Sequence, residues 1–230
     1  MKIHGLQKMT LLDFPGRVAC TVFLGGCDFR CPFCHNFELV ENPGSGIMTE
    51  EEFFSFLEKR RGLLDGVAVT GGEPCLRRDL ADFLSRIRDA GFPVKLDTNG
   101  AHPDVLRRVL EAGLAQYVAM DIKNSPEKYA RTAGLPEMDL TPVRESVSLL
   151  MAGETDYEFR TTVVAELHAA EDFEHIGRWI AGAKRYFLQA FADRDSVPFG
   201  GLHAPSADQM REYLAVAQRF VPAAALRGVD

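Results

Sequence analysis

The sequence predicts an α/β protein with a parallel sheet, built as an incomplete (β/α)6 TIM-like barrel. Three observations predict it. Short apolar runs alternate with amphipathic segments six times along the chain. Glycine and proline stand between these segments as punctuation, without a linker, repeat or low-complexity tract, so 1–230 is expected to be a single domain. The length, 230 residues, falls short of the about 250 residues that a full eight-unit barrel takes. Periodicity alone does not separate this barrel from a doubly wound sheet.

The elements follow in order. Residues 17–25 (RVACTVFLG) form an apolar run that predicts a buried strand. Residues 49–61 predict a helix, because Thr49 and Glu52 have the spacing of a capping box. Residues 66–70 predict a strand. In the next helix Leu80, Phe83, Leu84 and Ile87 repeat at helical spacing, and Gly91 closes it. Residues 94–98 predict a strand, and residues 103–113 a helix with Pro103 in its first turn. The same alternation gives strands at 117–122, 157–164 and 186–191, and helices at 141–151, 171–184 and 206–220. Met210, Tyr213, Leu214 and Ala217 share one face of the last helix. Beyond it, residues 221–230 are expected to add no further domain.

Composition narrows the function. Hydrophobic residues make up 46% and charged residues 26%, which is globular usage. The net charge of −7 argues against a broad nucleic-acid face. The first residues have neither the charged-then-apolar pattern of a signal peptide nor a membrane-length apolar run. A cytoplasmic protein without a membrane contact is therefore expected.

Five cysteines are few for a disulfide scaffold, and the number is odd. Cys27, Cys31 and Cys34 (CDFRCPFC) supply three thiols from one loop, directly after the first strand and the pair Gly25–Gly26. Thiolates suit zinc and iron–sulfur clusters. Zinc would need a fourth ligand, for which adjacent His35 is poorly spaced. A four-iron cluster on three cysteines keeps one iron open to a ligand. Cys20, in mid-strand, is expected in the core, and Cys75 is expected not to ligate.

The other polar motifs sit where a barrel's strands end. Gly71, Gly72 and Glu73 of GGEP follow the second strand, Asp97 and Thr98 of DTNG end the third, and Asp121 and Lys123 of DIK end the fourth. The glycines would let backbone approach a ligand, and Glu73 could accept from an ammonium group; a tight turn with a solvated glutamate has the same sequence. Two carboxylates facing one cleft, Asp97 and Asp121, call for a cation or a donor-rich ligand between them, unless each serves as a cap or turn residue. Arg160, a charge in an apolar strand, is expected to point into the barrel toward a carboxylate. Gln189 in the sixth strand could hydrogen-bond a ligand or backbone.

The CxxxCxFC spacing resembles the signature of the radical S-adenosylmethionine superfamily. The wider stretch 12–36 (LDFPGRVACTVFLGGCDFRCPFCHN) resembles the activating enzymes of glycyl-radical proteins, most closely the longer form that activates anaerobic ribonucleoside-triphosphate reductase. The resemblance implies a [4Fe–4S] cluster on Cys27, Cys31 and Cys34, whose open iron binds the cofactor's amino and carboxylate groups. GGEP would hold the amino group, Phe33 would wall the adenine, and His35 and Lys123 would touch the cofactor. Arg160 would meet its carboxylate and Gln189 its nucleoside. Asp97, Thr98 and Asp121 would hold a monovalent cation. One electron, from a donor such as flavodoxin or ferredoxin, would cleave the sulfonium to methionine and a 5′-deoxyadenosyl radical, which abstracts hydrogen. The expected target is a glycine of a partner protein, anaerobic ribonucleotide reductase. The alternatives are a radical enzyme modifying a small molecule or another protein, and, from another class, a zinc-dependent binding module.

Overall fold

A computed structural model describes residues 1–228. Ten strands and eight helices are named in chain order. The strands are β1 (Lys2–Ile3), β2 (Gly5–Thr10), β3 (Ala19–Leu24), β4 (Met48–Thr49), β5 (Gly66–Gly71), β6 (Val94–Thr98), β7 (Tyr117–Asp121), β8 (Asp156–Val163), β9 (Tyr186–Ala190) and β10 (Ala224–Arg227). The helices are α1 (Phe37–Glu41), α2 (Glu50–Glu58), α3 (Leu80–Asp89), α4 (Pro103–Glu111), α5 (Tyr129–Thr132), α6 (Thr141–Ala152), α7 (Ala170–Trp179) and α8 (Ala207–Gln218).

The main sheet runs β10-β9-β8-β7-β6-β5-β3-β2. Every pair in it is parallel except β2 with β3. Each parallel strand lies beside its predecessor, so the order never reverses. A doubly wound sheet must reverse at its switch point; the sequential order is that of a partial barrel. Six strand–helix units are present as the sequence predicts. The tail, expected to add no further domain, carries a seventh parallel strand that the sequence reading did not assign, β10, and the N-terminal segment adds the antiparallel edge strand β2. Both lack a strong period-two signal: β10 is four residues long, and β2 (GLQKMT) is mostly solvent-facing.

Local chemistry accounts for the helix ends. The Thr49 side chain accepts from Glu52 N while Glu52 accepts from Thr49 N, a closed capping box worth about 1 kcal/mol. Ser206 and Gln209 do the same for α8. Helix α7 ends at Trp179, short of the expected 184, because Gly182 takes a left-handed φ of 84° and turns the chain toward β9.

One contiguous core runs from Ile3 to Ala224. Leu80, Phe83, Leu84 and Ile87 of α3 are all buried, as their spacing predicts, each contributing about 1.5–3 kcal/mol. The inner face of the sheet is polar. At its N-terminal end the buried Glu158 accepts from Arg227 twice, at 2.8 and 3.0 Å, and from the Tyr117 hydroxyl at 2.7 Å. No helix among the described residues is long and apolar enough to cross a membrane.

Candidate active site

A cavity of about 400 Å³ opens at the C-terminal ends of the strands. Cys27, Cys31 and Cys34 line it together with Phe33, His35, Gly71, Gly72, Glu73, Asp97, Thr98, Asp121, Lys123, Arg160 and Gln189. Every site residue expected from the sequence therefore faces one space.

The cysteine loop is held from several sides. Gly26 N donates to Leu39 O, Glu73 N to Gly26 O at 2.8 Å, and Arg30 N to Ala133 O at 2.8 Å. Asn36 Nδ2 donates to Gly71 O at 3.0 Å. A Cβ on Gly72 would lie 2.0 Å from Gly26 O, and one on Gly71, where φ is 129°, would lie 2.1 Å from Leu24 O. The glycines of GGEP are thus required by the close approach of the end of β3 and of the cysteine loop's backbone. Their surfaces still reach the cavity.

His35 Nε2 lies 2.6 Å from Ala192 O, and its ring stacks on Phe191 at 5.7 Å. The imidazole docks the loop on the end of β9 and is not turned to the thiols as a fourth ligand. Cys75 is buried, its N–H donating to Glu73 Oε1 at 2.8 Å, and Cys20 lies in the core.

Glu73 is buried rather than solvated. Oε1 accepts from Cys75 N and Thr98 Oγ1, both at 2.8 Å, and Oε2 accepts from Asn99 N at 2.6 Å. Burial pushes its carboxyl up to about 7 against these donors. Two lone pairs per oxygen leave Oε2 able to take one more donor, such as an ammonium.

The carboxylate pair is balanced from within. Arg160 Nε lies 2.9 Å from Asp121 Oδ1 and Nη1 3.5 Å from Asp97 Oδ2. Lys95 pairs with Asp97, and Lys123 Nζ lies 3.0 Å from Asp121 Oδ2. Burial alone would raise both carboxyls; the arginine and lysines outweigh it and hold them below the usual range. The charge argument for a monovalent cation on Asp97, Thr98 and Asp121 is met instead by Arg160, and the Thr98 hydroxyl is committed to Glu73. Arg160 points inward as expected, toward protein carboxylates. Lys95 was missed, although VKLDT puts it two residues from Asp97 and so on the same strand face. Asp28, Asn36 and Asn99 were missed as well.

The donor set fits an iron–sulfur cluster. Burial pushes the Cys27 thiol up to about 12 and that of Cys31 to about 11, and raises Cys34. Such thiols stay neutral until a metal displaces their protons. Hydrogen-bond donors already face the Cys27 sulfur: Phe29 N at 3.4 Å and Asn99 Nδ2 at 3.8 Å.

A sequential, open parallel sheet with three thiols over a polar cavity at its strand ends defines a partial barrel with a candidate metal and cofactor site. The sequence profile of the Radical SAM superfamily matches residues 21–165, and the chain belongs to that superfamily. The family implies a [4Fe–4S] cluster and S-adenosylmethionine. A proposed glycyl-radical enzyme activating enzyme of Methanocaldococcus jannaschii is 29% identical over 234 residues, covering 99% of this chain and 96% of the relative. The pyruvate formate-lyase-activating enzyme of Clostridium pasteurianum is 31% identical over 128 residues, 54% of this chain and 52% of that protein. The chain thus matches about half the length of that relative. A radical SAM methyltransferase from Sphaerobacter thermophilus shares the fold, with a TM-score of 0.74 at 15% identity over 96% of this chain and 68% of that one.

Proposed function

We propose that this protein is an activase that generates a glycyl radical on a partner protein, anaerobic ribonucleoside-triphosphate reductase, in the cytoplasm. The observation that carries the reading is the three-thiol loop over a polar cavity in an open-edged barrel, which leaves room for a polypeptide segment. Similarity to the archaeal relative over nearly the whole of both chains supports it.

Cys27, Cys31 and Cys34 would each hold an iron. When bound, the cluster and S-adenosylmethionine would supply the one-electron chemistry, with an electron from a donor such as flavodoxin or ferredoxin, that removes a hydrogen atom from a glycine Cα of the partner. The chain's own residues orient the reactants and keep out competing reactions. Oε2 of Glu73 would take the cofactor's ammonium, Phe33 would wall the adenine, and Gln189 would meet its nucleoside; all three line the cavity. Lys123 and Arg160 hold Asp121 ionised, so its carboxylate accepts hydrogen bonds without taking a proton.

The test is anaerobic incubation of both proteins with reductant and S-adenosylmethionine, followed by air. A partner bearing the radical is cut at that glycine. An uncut but otherwise competent partner, with the cofactor consumed, overturns the reading in favour of a small-molecule substrate.

A further inference from the structure

We propose that Asn99 is a positioning residue that donates a hydrogen bond to the Cys27 sulfur and so sets the reduction potential of the cluster. The proposal rests on the reading that Cys27 holds the cluster; iron content tests that reading separately.

Asn99 is 5% exposed, and its backbone N–H and both ends of its side-chain amide have partners. Its backbone N–H donates to Glu73 Oε2 at 2.6 Å. Its Oδ1 accepts from Ala101 N at 2.9 Å, which decides the orientation of the amide: the oxygen must face the turn, so the NH2 must face the cysteine loop. One amide proton goes to Asp28 Oδ1 at 2.9 Å and the other to Cys27 Sγ at 3.8 Å. On its other side the Asp28 carboxylate lies near an imidazole, with Oδ2 3.0 Å from His102 Nε2. The donor is therefore fixed before any cluster binds, and no ordering cost falls on the contact.

Reduction adds a negative charge that spreads onto the ligating sulfurs. A fixed N–H aimed at one of them stabilises the reduced state more than the oxidised one, and hydrogen bonds to sulfur are among the levers that set such potentials. Without that donor, the cluster should be harder to reduce. A net hydrogen-bond contribution of about 1 kcal/mol is about fivefold in the equilibrium, or about 40 mV for a one-electron couple.

Asn99→Ser separates the two roles of the side chain. A serine hydroxyl can accept from the residue two positions on and keep the turn, but it is too short to reach the sulfur or Asp28. The full-length variant and the wild type are reconstituted anaerobically, assayed for iron, and titrated with dithionite under electron paramagnetic resonance. Equal iron content with a midpoint about 40 mV more negative is the expected result. An unchanged midpoint at equal iron content overturns the proposal. Should the serine variant fail to load iron, Asn99→Asp retains the oxygen acceptor without the donor and is expected to shift the midpoint the same way. Failure of both to load iron would make Asn99 a turn residue only and also overturns the proposal.

Discussion

Cys27, Cys31 and Cys34 differ from Cys20 and Cys75 in surroundings, since the side chain is the same. The first three face a polar cavity, whereas Cys20 and Cys75 are enclosed by the core. Replacing any one of Cys27, Cys31 or Cys34 by Ala should abolish the cluster and all cleavage of S-adenosylmethionine. Cys20→Ala and Cys75→Ala should retain stoichiometric iron at a stability cost of about 1 kcal/mol each. Iron assay and visible absorption of the anaerobically reconstituted variants check this, and loss of iron from Cys75→Ala would contradict the open-iron assignment. The charged residues follow the same logic of surroundings. The sequence places Asp97, Asp121 and Arg160 at strand ends, but their mutual pairing depends on the curvature of three adjacent strands, which no local spacing encodes. Lys95 was within reach of a period-two reading. Asn99 was not, because its value lies in contacts with Cys27 and Asp28, about seventy positions away.

At the scale of elements, the cysteine loop and the GGEP turn form one unit. Glu73 N to Gly26 O and Gly72 N to Leu24 O continue the β3–β5 ladder past the strand ends. Gly134 plays the same part on the other side, at a φ of 71°, where a Cβ would lie 1.9 Å from Arg30 O. Gly72→Ala must therefore push Gly26 and Cys27 apart from the turn. The expected outcome is a folded protein with far-ultraviolet circular dichroism like wild type and a marked loss of iron content; full iron loading would show that the loop tolerates the displacement. The strands and helices of this layer were legible because each carries its own periodicity and caps. The roles of the glycines were not, since a close approach of backbone to a ligand and of backbone to backbone select the same residue.

For the whole molecule, sequential strand order decides between the two architectures that periodicity left open, and the two edge strands complete the sheet. The buried Glu158 on the inner face ties β8 to β10 through Arg227. Burial raises the Glu158 carboxyl, but Arg227 and Tyr117 outweigh it, so its folded-state pKa is lower than in the unfolded chain. The pair's contribution is present above the unfolded value of about 4.3 and is lost as pH falls through the depressed folded value. Arg227→Met leaves the carboxylate buried without its partner. The variant should lose about 2 kcal/mol at pH 7, less than a fully buried pair because the Arg227 side chain is 36% exposed. Chemical denaturation at a series of pH values should show the gap to wild type closing below pH about 4. A gap constant with pH would mean that packing of the arginine, and not its charge, is what β10 contributes.

Edge strands β2 and β10 lie at opposite ends of the sheet order and are not paired with each other among the described residues. A closed barrel behaves like a hoop: its circumference is set by its ladders, and widening it means breaking one of them along its full length. A slit hoop carries no such tension. Here the brace comes from inside: the cysteine loop leaves the end of β3, ties to Ala133 beyond β7 and rests His35 against Ala192 beyond β9, so the segment that carries the thiols also spans the mouth of the slit hoop.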